Sequence, residues 1–374
     1  MIVLTNARVV TADGVLTDGW VQVDGTRIAA VGNGTAPPGD ALDLAGAWLL
    51  PGFIDIHVHG GGGHDVASTA RDLAAAVAFH RSHGTTRTLI SLAAAPLDDL
   101  ARQLGWIADL IAFGPSTSGH VVGAHLEGPF LSPERRGAQN PANLLLPDRE
   151  TFAELLAAAR GTLRCITIAP ELPGALDLIA DAVAAEVVAA IGHSDATYAE
   201  AVAGVEAGAS LATHLCNGMR PFDHREPGVV LAALDRLTCE VINDGLHVHP
   251  MVTALVARDA GRLVLVTDAM GAAGAGDGEF TLGDQIVTVL EGEARLPSGS
   301  LAGSTLTMDV ALRRAVLDSG LSIEAASAAA SGNPARVLNL ADSCGRIAAG
   351  LDADLVVLDA DLRLQRVMSL GAWC

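Results

Sequence analysis

The sequence predicts an α/β fold, a (β/α)₈ TIM-like barrel with a small β-sandwich domain built from both ends of the chain. Between about residues 51 and 335, strand-like apolar runs alternate with Ala-rich segments of helical period, which is typical of a parallel sheet or barrel. Eight of these runs read as strands, the number that a closed barrel needs. Residues before about 51 lack a helical period, and the end of the chain returns to strand.

Length and composition agree with this architecture. The 374 residues are enough for a large barrel with an accessory module. Half of the residues are hydrophobic but only 3% are aromatic, so Ala, Val, Leu and Ile must build the core. The net charge of -20, without any basic patch, argues against a nucleic-acid partner or an anionic membrane. No apolar run approaches the ~20 residues of a membrane span and no basic-then-apolar leader is present, so we expect a cytoplasmic protein.

The first and last elements define the β-sandwich domain. We expect it to comprise residues 1–50 and 336–374, on either side of a barrel at 51–335. Turn signals at Asp13-Gly14 and Asp24-Gly25 separate its first strands. The predicted N-terminal strands are 2–4, 8–11, 20–23, 27–31 and 47–50. The predicted C-terminal strands, 345–347 and 354–359, should pair with them.

The central elements define the barrel. Its predicted strands are 53–57, 86–91, 121–125, 164–169, 187–192, 210–214, 238–242 and 262–267. A hairpin is expected at 280–300. Asn333-Pro334 should begin a late helix, because Asn is a good N-cap and Pro is favoured at the first helical position.

The most informative residues are His57 and His59, which end the first barrel strand before Gly60 to Gly63. Residues two apart on a strand point to the same side, so the two imidazoles converge at the strand's C-terminal end, where such barrels carry their chemistry. This is metal-ligand geometry. Taken alone, this pair could instead be two polar residues at the barrel mouth that bind no metal.

Three later strand ends add further ligands: Glu127, His193 and His214. One carboxylate with two imidazoles suits Zn²⁺ or Fe²⁺ and leaves coordination positions open for water and substrate. Glu127 alone could instead pair with an arginine such as Arg135, and a single histidine is more often structural. The three together favour a metal site.

Asp268 ends the last barrel strand and is the candidate general base. A metal lowers the pKa of bound water from ~15.7 towards ~7, and a nearby carboxylate can take the proton and pass it on. The alternative is a helix N-cap, but the Gly-rich segment 271–278 that follows is not helical.

Two amino acid counts restrict the chemistry. All 23 basic residues are arginine, so neither a carbamylated-lysine metal bridge nor a Schiff base is available, and a carboxylate must bridge any two metals. The five cysteines are scattered without a CxxC motif, which signals neither a disulfide framework nor a thiolate zinc site. Loops that carry Arg136 and Arg225 suit a phosphorylated or polyhydroxylated ligand, although both arginines could equally form surface ion pairs.

Almost the whole chain resembles the N-acetylglucosamine-6-phosphate deacetylases of the amidohydrolase superfamily. The resemblance implies hydrolysis of the N-acetyl group of GlcNAc-6-phosphate to acetate and glucosamine 6-phosphate. The segments that carry it are 51–60, 125–130, 192–194, 214–219, 225–228, 244–247, 267–270 and 301–304.

When the family's functional residues are matched one by one to this sequence, the resemblance implies that Glu127, His193 and His214 bind the catalytic metal. It also implies that Asp268 acts first as general base and then as general acid. His57 and His59 match members with a second metal. We therefore expect one or two divalent ions per subunit, with Zn²⁺ favoured and Fe²⁺ as the alternative. A homodimer is implied, with His247 near its interface. The implied substrate-binding residues are Ala138, Gln139, Asn217, Gly218, Arg225, Asp244, His247, Leu301, Ala302 and Gly303.

One residue departs from the family pattern. Where some members carry a histidine before Asn-Pro, thought to polarise the acetamide carbonyl, this chain has Gln139, which can donate a hydrogen bond but carries no positive charge. A second metal could supply that role. The rival functions are a deacetylase of N-acetylgalactosamine 6-phosphate or of another N-acyl compound, and a non-catalytic sugar-phosphate sensor.

Overall fold

The computed structural model describes residues 1–113 and 121–374. Within them the chain forms the strands that follow, numbered in chain order. They are β1 (Ile2–Thr11), β2 (Gly14–Asp24), β3 (Arg27–Asn33), β4 (Asp40–Asp43), β5 (Trp48–Pro51), β6 (Phe53–Asp55), β7 (Gly60–Gly61), β8 (His64–Asp65), β9 (Thr85–Ala93), β10 (Val121–Glu127), β11 (Leu163–Ile168), β12 (Val188–Ile191), β13 (Leu211–Ala212), β14 (Thr238–Ile242), β15 (Leu263–Val266), β16 (Gly278–Leu282), β17 (Gln285–Leu290), β18 (Glu293–Arg295), β19 (Leu355–Leu358), β20 (Leu364–Ser369) and β21 (Ala372–Trp373).

Several helices start at a side-chain cap that satisfies a free backbone N–H. Thr69 and Asp148 cap two of them, and Thr197 forms a reciprocal capping box with Glu200. The α-helices in the described residues are α1 (Ala70–Ser82), α2 (Leu97–Ala112), α3 (Arg149–Ala159), α4 (Ala175–Ala184), α5 (Tyr198–Glu206), α6 (Gly228–Arg236), α7 (Pro250–Val256), α8 (Met308–Leu317), α9 (Ile323–Ser327) and α10 (Asn333–Val337). None of the helices so described is long and apolar enough to cross a bilayer.

Eight parallel strands form the barrel, and all eight predicted strands are found. Their order, β6-β9-β10-β11-β12-β13-β14-β15, follows the chain. Alternate residues face the helices, where Phe53 and Ile90 pack, or the barrel interior, which apolar side chains such as Ile54, Leu89 and Val264 fill. This rigid scaffold brings the C-terminal ends of all eight strands to one face.

The seam between the first and last strands is closed largely by a side chain. The Asp55 carboxylate accepts hydrogen bonds from the Thr267 hydroxyl at 2.5 Å, from the Thr267 N–H at 3.2 Å and from the His57 N–H at 3.3 Å. Beyond it, the Asp268 N–H donates to the His57 carbonyl at 2.8 Å. The seam therefore holds two predicted site segments in register with each other.

The β-rich part combines both ends of the chain in one connected sheet of order β21-β20-β19-β5-β1-β2-β3, with β4 also on β1. The expected pairing of the C-terminal strands with the N-terminal ones occurs between β19 and β5. The two predicted strands 2–4 and 8–11 are a single strand whose register shifts near Asn6, which has a φ of 52°. Arg87 of β9 joins barrel and sheet through Asp352 at 2.6 Å and Asp354 at 2.9 Å. The domain boundaries remain a prediction.

Two predicted elements near the C-terminus differ from the structure. Asn333 begins α10 as expected, but it is not an N-cap, because α9, a π-helical turn (Ala328–Gly332) and α10 run on continuously and Asn333 already has helical backbone angles. Its side-chain amide instead donates to the carbonyls of Ala260 and Leu263, and the wider turn accommodates Pro334. Residues 345–347 are not a strand: Ile347 is buried in the core of the small sheet from an irregular segment.

The predicted hairpin is a three-stranded antiparallel sheet of β16, β17 and β18 beside the barrel mouth. Its tip is tied down on both sides. The Gly283 N–H donates to Asp65 at 2.9 Å, and Asp284 accepts from the side-chain amide of Asn140 at 2.5 Å. The hairpin thus forms one wall of the barrel mouth.

Candidate functional site

All six predicted metal and catalytic residues meet at the C-terminal face of the barrel. Glu127 is the last residue of β10, and the others lie two to four residues after the end of a barrel strand. Three of these residues, His193, His214 and Asp268, have positive φ angles of 46°, 27° and 46°. Non-glycine residues in this region cost roughly 1–3 kcal/mol each and persist where the surrounding structure enforces them. Backbone strain is therefore concentrated where the candidate ligands lie.

Glu127 lies between two groups of possible ligands. Its Oε1 is 2.9 Å from His214 Nε2 and 3.0 Å from His193 Nε2, and its Oε2 is 3.3 Å from His59 Nε2. His57 Nε2 is 3.5 Å from Oε1. The ligand atoms of His57, His59 and Glu127 all lie within 4.8 Å of one another, and so do those of Glu127, His193 and His214. The carboxylate is common to both groups.

The hydrogen bonds behind the imidazoles determine which nitrogen faces the site. His193 Nδ1 lies 2.8 Å from the Arg135 carbonyl, which can only accept, so Nδ1 carries the proton. His57 Nδ1 likewise donates to Glu240 at 3.0 Å. The Nε2 lone pairs therefore point inward, where the Nε2 atoms of His57 and His59, and those of His193 and His214, are 3.1 Å apart. Converging lone pairs beside a carboxylate fit a divalent cation.

The electrostatics of the buried cluster also favour a cation. Burial opposes charge on Glu127 and raises its pKa, but His57 and hydrogen bonds from His193 and His214 outweigh this and hold the pKa well below its ordinary value. Burial lowers the pKa of His59, but Asp268 and Glu127 raise it to about 9. Asp268 and Glu127 likewise raise the pKa of His57 well above its ordinary value, against burial. The carboxylates thus create a field that stabilises positive charge where the nitrogens converge.

Asp268 faces both the ligands and the cavity. Its Oδ1 lies 3.3 Å from His59 Nε2 and 3.5 Å from His57 Nε2, and only 8% of the residue is exposed. Burial raises the pKa of Asp268, but the charges and hydrogen bonds of His57 and His59 lower it to about 2. Turns follow it rather than a helix, so it is not an N-cap. A buried carboxylate that stays ionised at the cavity wall is suited to accept a proton.

Gln139 reaches the site, but both ends of its amide are engaged by protein. Its Nε2 donates to Glu127 Oε2 at 2.7 Å, and its Oε1 accepts from the Ala94 N–H at 2.8 Å. In this conformation the side chain fixes the orientation of Glu127. The amide donor that replaces the family's histidine is therefore directed at Glu127.

A cavity of about 440 Å³ extends across the barrel mouth and includes most of the predicted substrate residues. It reaches from Asn217, after β13, to Ala94, after β9, and these two strands lie on opposite sides of an eight-stranded barrel. Hairpin residues such as Leu282 form part of the wall. The predicted substrate residues that line the cavity are Ala138, Gln139, Asn217, Gly218, His247, Leu301 and Gly303.

Three predicted substrate residues do not line this cavity. Ala302 is buried behind the wall, and Asp244 instead orients His247 by accepting from its Nδ1 at 2.6 Å. Arg225 lies on an exposed loop. Among the described residues that line the cavity, the single arginine is Arg102, which pairs with Asp99 at 2.6 Å.

Sequence reasoning missed the residues that support the ligands from behind, chiefly Asp55 and Glu240. Both are completely buried and lie on barrel strands. The available signal was a carboxylate in an otherwise apolar strand, as in Thr238-Cys239-Glu240-Val241-Ile242. Such a residue is costly to bury without a partner, so it predicts a contact but does not identify the partner.

Comparisons with known proteins agree with this geometry. A model of the amidohydrolase family matches residues 48–373. The N-acetylgalactosamine-6-phosphate deacetylase of Escherichia coli O157:H7 is 37% identical over 373 residues, which cover 99% of this chain and 98% of that protein. The N-acetylglucosamine-6-phosphate deacetylase of Lysinibacillus sphaericus is 36% identical over 382 residues, with 99% and 97% covered.

Solved structures give the same picture. The N-acetyl-D-glucosamine-6-phosphate deacetylase of Mycobacterium smegmatis superposes with a TM-score of 0.94 at 42% identity, and the match covers both chains completely. A mutant of that enzyme in complex with N-acetyl-D-glucosamine-6-phosphate also has a TM-score of 0.94 and 42% identity, with 100% of this chain and 98% of the other covered.

Proposed function

Because the chain belongs to the amidohydrolase family, we propose that it removes the N-acetyl group of N-acetyl-D-glucosamine 6-phosphate to give D-glucosamine 6-phosphate and acetate. It is a metal-dependent hydrolase that acts on C–N bonds other than peptide bonds. The observation that carries the proposal is the pair of ligand groups that share Glu127, with Asp268 at their edge and the cavity above. The relatives that match over nearly the full length catalyse deacetylations of this kind by name.

We propose two divalent ions per chain, with Zn²⁺ favoured by the His and carboxylate ligands and Fe²⁺ as the alternative. Glu127, His193 and His214 would hold one ion, and His57, His59 and Glu127 the other. A divalent ion supplies Lewis-acid chemistry, which makes water a stronger acid and polarises a carbonyl oxygen. Glu127 belongs to both groups and would be shared by the two ions, because this chain has no lysine to do so.

Asp268 performs the proton transfers. Its carboxylate is ionised at neutral pH and lies at the cavity wall, so it can accept the proton of the attacking water. When the C–N bond breaks, the same proton passes from Asp268 to the amine nitrogen, and the carboxylate is regenerated. Burial beside His57 and His59 holds Oδ1 in place for both transfers.

The central experiment measures acetate release from N-acetyl-D-glucosamine 6-phosphate by metal-quantified protein and by Asp268→Asn. We expect the variant to lose roughly 10²–10⁴-fold in kcat, the usual contribution of a general acid–base group, while it keeps its metal. If metal-replete wild type binds the sugar phosphate but releases no acetate, the sensor interpretation replaces the deacetylase.

The substrate phosphate can be located by comparing two arginines, Arg102 in the cavity wall and Arg225 on an exposed loop that does not line the cavity. We propose that Arg225 binds the phosphate near Asn217, Gly218 and His247, because loop arginines pair well with phosphate. Arg225→Ala should then raise KM for the phosphorylated sugar far more than for the unphosphorylated one, and Arg102→Ala should change KM little. The reverse result would place the phosphate on the Arg102 side.

A second substrate is supported by one observation, the similarity to the N-acetylgalactosamine-6-phosphate deacetylase. Comparing kcat/KM on the two phosphorylated sugars, which differ only at C4, decides between them.

We also propose a homodimer in the cytoplasm. Sedimentation of the metal-loaded protein tests the dimer, and fractionation of cells that express the chain tests the location.

A further inference from the structure

One buried carboxylate, Glu240, has no part in the proposed chemistry. It lies in the middle of β14, and alternation along the strand places it on the same side as Ile242, among apolar side chains of the barrel interior. The residue is completely buried. A charged group in such surroundings lowers stability by several kcal/mol unless it is well paired, so its contacts indicate what it does.

Those contacts reach both ligand groups. Glu240 Oε2 accepts from His57 Nδ1 at 3.0 Å and from the backbone N–H of His214 at 3.2 Å. The His57 ring also packs edge-on against His125, with ring centres 4.7 Å apart. The carboxylate and the neighbouring ring together restrict rotation of His57, while the backbone contact supports the strained residue His214.

The two ligand groups differ in this support. Behind His57 stands a carboxylate, whereas behind His193 stands the neutral carbonyl of Arg135. His214 Nδ1 is buried and has no hydrogen-bond partner within the described chain. An anionic partner orients a ligating imidazole and makes it a better donor to a metal than a neutral one does. This difference in support therefore favours tighter metal binding at His57 and His59 than at His193 and His214.

We propose that Glu240 is a positioning residue that holds His57 with Nε2 towards the barrel mouth and thereby sets the affinity of the His57–His59–Glu127 group for its metal ion. The inference rests on the proposed metal centre but not on the identity of the substrate. It assigns Glu240 no contact with substrate.

The test is chelator competition on the metal-loaded protein, read as metal released per chain. Glu240→Gln keeps the shape of the side chain and an acceptor for both N–H groups but removes the charge. We expect one of the two ions to be released at a chelator concentration about 10–100-fold lower than in wild type, the usual effect of losing a partner of a ligating histidine. The second ion should be unaffected. Cys165→Ala, a buried change in the same barrel interior, is the matched control and should release both ions as wild type does.

Equal retention of both ions by Glu240→Gln and wild type would overturn the proposal. If wild type itself holds a single ion, the proposed two-metal centre is wrong. The number of ions per chain in wild type therefore distinguishes failure of the proposed metal centre from failure of the inference on Glu240. Should the variant not fold, nitrogen chemical shifts of the histidines in wild type decide the matter. A protonated Nδ1 and a metal-bound Nε2 on His57 support the proposal, and metal on Nδ1 refutes it.

Discussion

The two candidate metal-ligand groups are built in different ways. His57 and His59 lie on one extended segment, two residues apart, and side chains hold that segment: Asp55 on one side and Glu240 behind. His193 and His214 come from separate strands, and each has a positive φ. The Arg135 carbonyl holds the His193 ring, and the backbone N–H of His214 donates to Glu240. The first pair is thus defined by local alternation along a strand, whereas the second depends on the register between strands.

Among the described residues, only Glu127 is a member of both ligand groups, so it should be the most sensitive position of all. Glu127→Gln removes the charge between the two sets of imidazoles, and we expect both ions to be lost. Deacetylation should fall on the order of 10⁴-fold, as when one member of a cooperating catalytic set is removed. Metal analysis together with acetate release measures this, and the exposed Glu134→Gln is the control. Retention of one ion would mean that the groups do not depend on a shared carboxylate.

Single-histidine variants sharpen the comparison. His59→Gln and His193→Gln should each lose one ion, because each removes a ligand of one group alone. We expect turnover to fall about 10³-fold in His193→Gln and about 10²-fold in His59→Gln, the range for loss of one electrostatic stabiliser. Unchanged turnover in His59→Gln would show that the ion at His57 and His59 has no part in the reaction.

The seam that supports the first pair should affect stability more than chemistry. Asp55→Asn keeps an acceptor but weakens three buried hydrogen bonds to Thr267 and His57. We expect a loss of about 1–3 kcal/mol in the free energy of unfolding, measured in denaturant on metal-free protein. A variant as stable as wild type would show that backbone contacts alone close the barrel.

A second effect on stability concerns pH. Buried His80 donates from Nε2 to the Gly60 carbonyl, next to His59, and burial lowers its pKa from 6.5 to about 4. Between these values the unfolded chain binds more protons than the folded one, so stability should fall as pH drops from 6.5 towards 4. The contribution approaches about 1.4 kcal/mol per pH unit. His80→Gln keeps a donor without titrating, and its unfolding free energy should vary less over this range. His224→Gln, an exposed change, is the control, and identical slopes for His80→Gln and wild type would contradict the assignment.

The sequence predicted the barrel because its evidence is local. Eight apolar runs between Ala-rich helices identified the strands, and a polar residue after a strand end, such as Glu127 or His214, is visible without a structure. The resemblance to the deacetylases, drawn from short motifs, is confirmed by relatives that match over nearly the whole chain.

What the sequence did not predict depends on residues distant in the chain. The contact between Glu240 and His57 spans 183 positions, and only strand register brings them together. Gln139 was expected at a substrate position and lines the cavity, but the sequence did not indicate that its amide also engages Glu127 and Ala94. Arg225 matched a motif, yet a motif does not indicate whether its loop reaches the cavity. The helix expected at Asn333 is present, but Asn333 does not cap it, because a π turn continues the segment that precedes it.

The seam between β6 and β15 also bears on the order of events during folding. Asp55 and Thr267 are 212 positions apart, and closing so long a loop carries a large entropic cost before any contact repays it. The strands in between can pair with their chain neighbours first, so the barrel remains an open sheet until its two ends meet. His57 and Asp268 come together only at that last step. Asp268 therefore faces His57 and His59 only in the closed barrel, and a ligand that binds the closed form alone would, by mass action, draw the chain towards it.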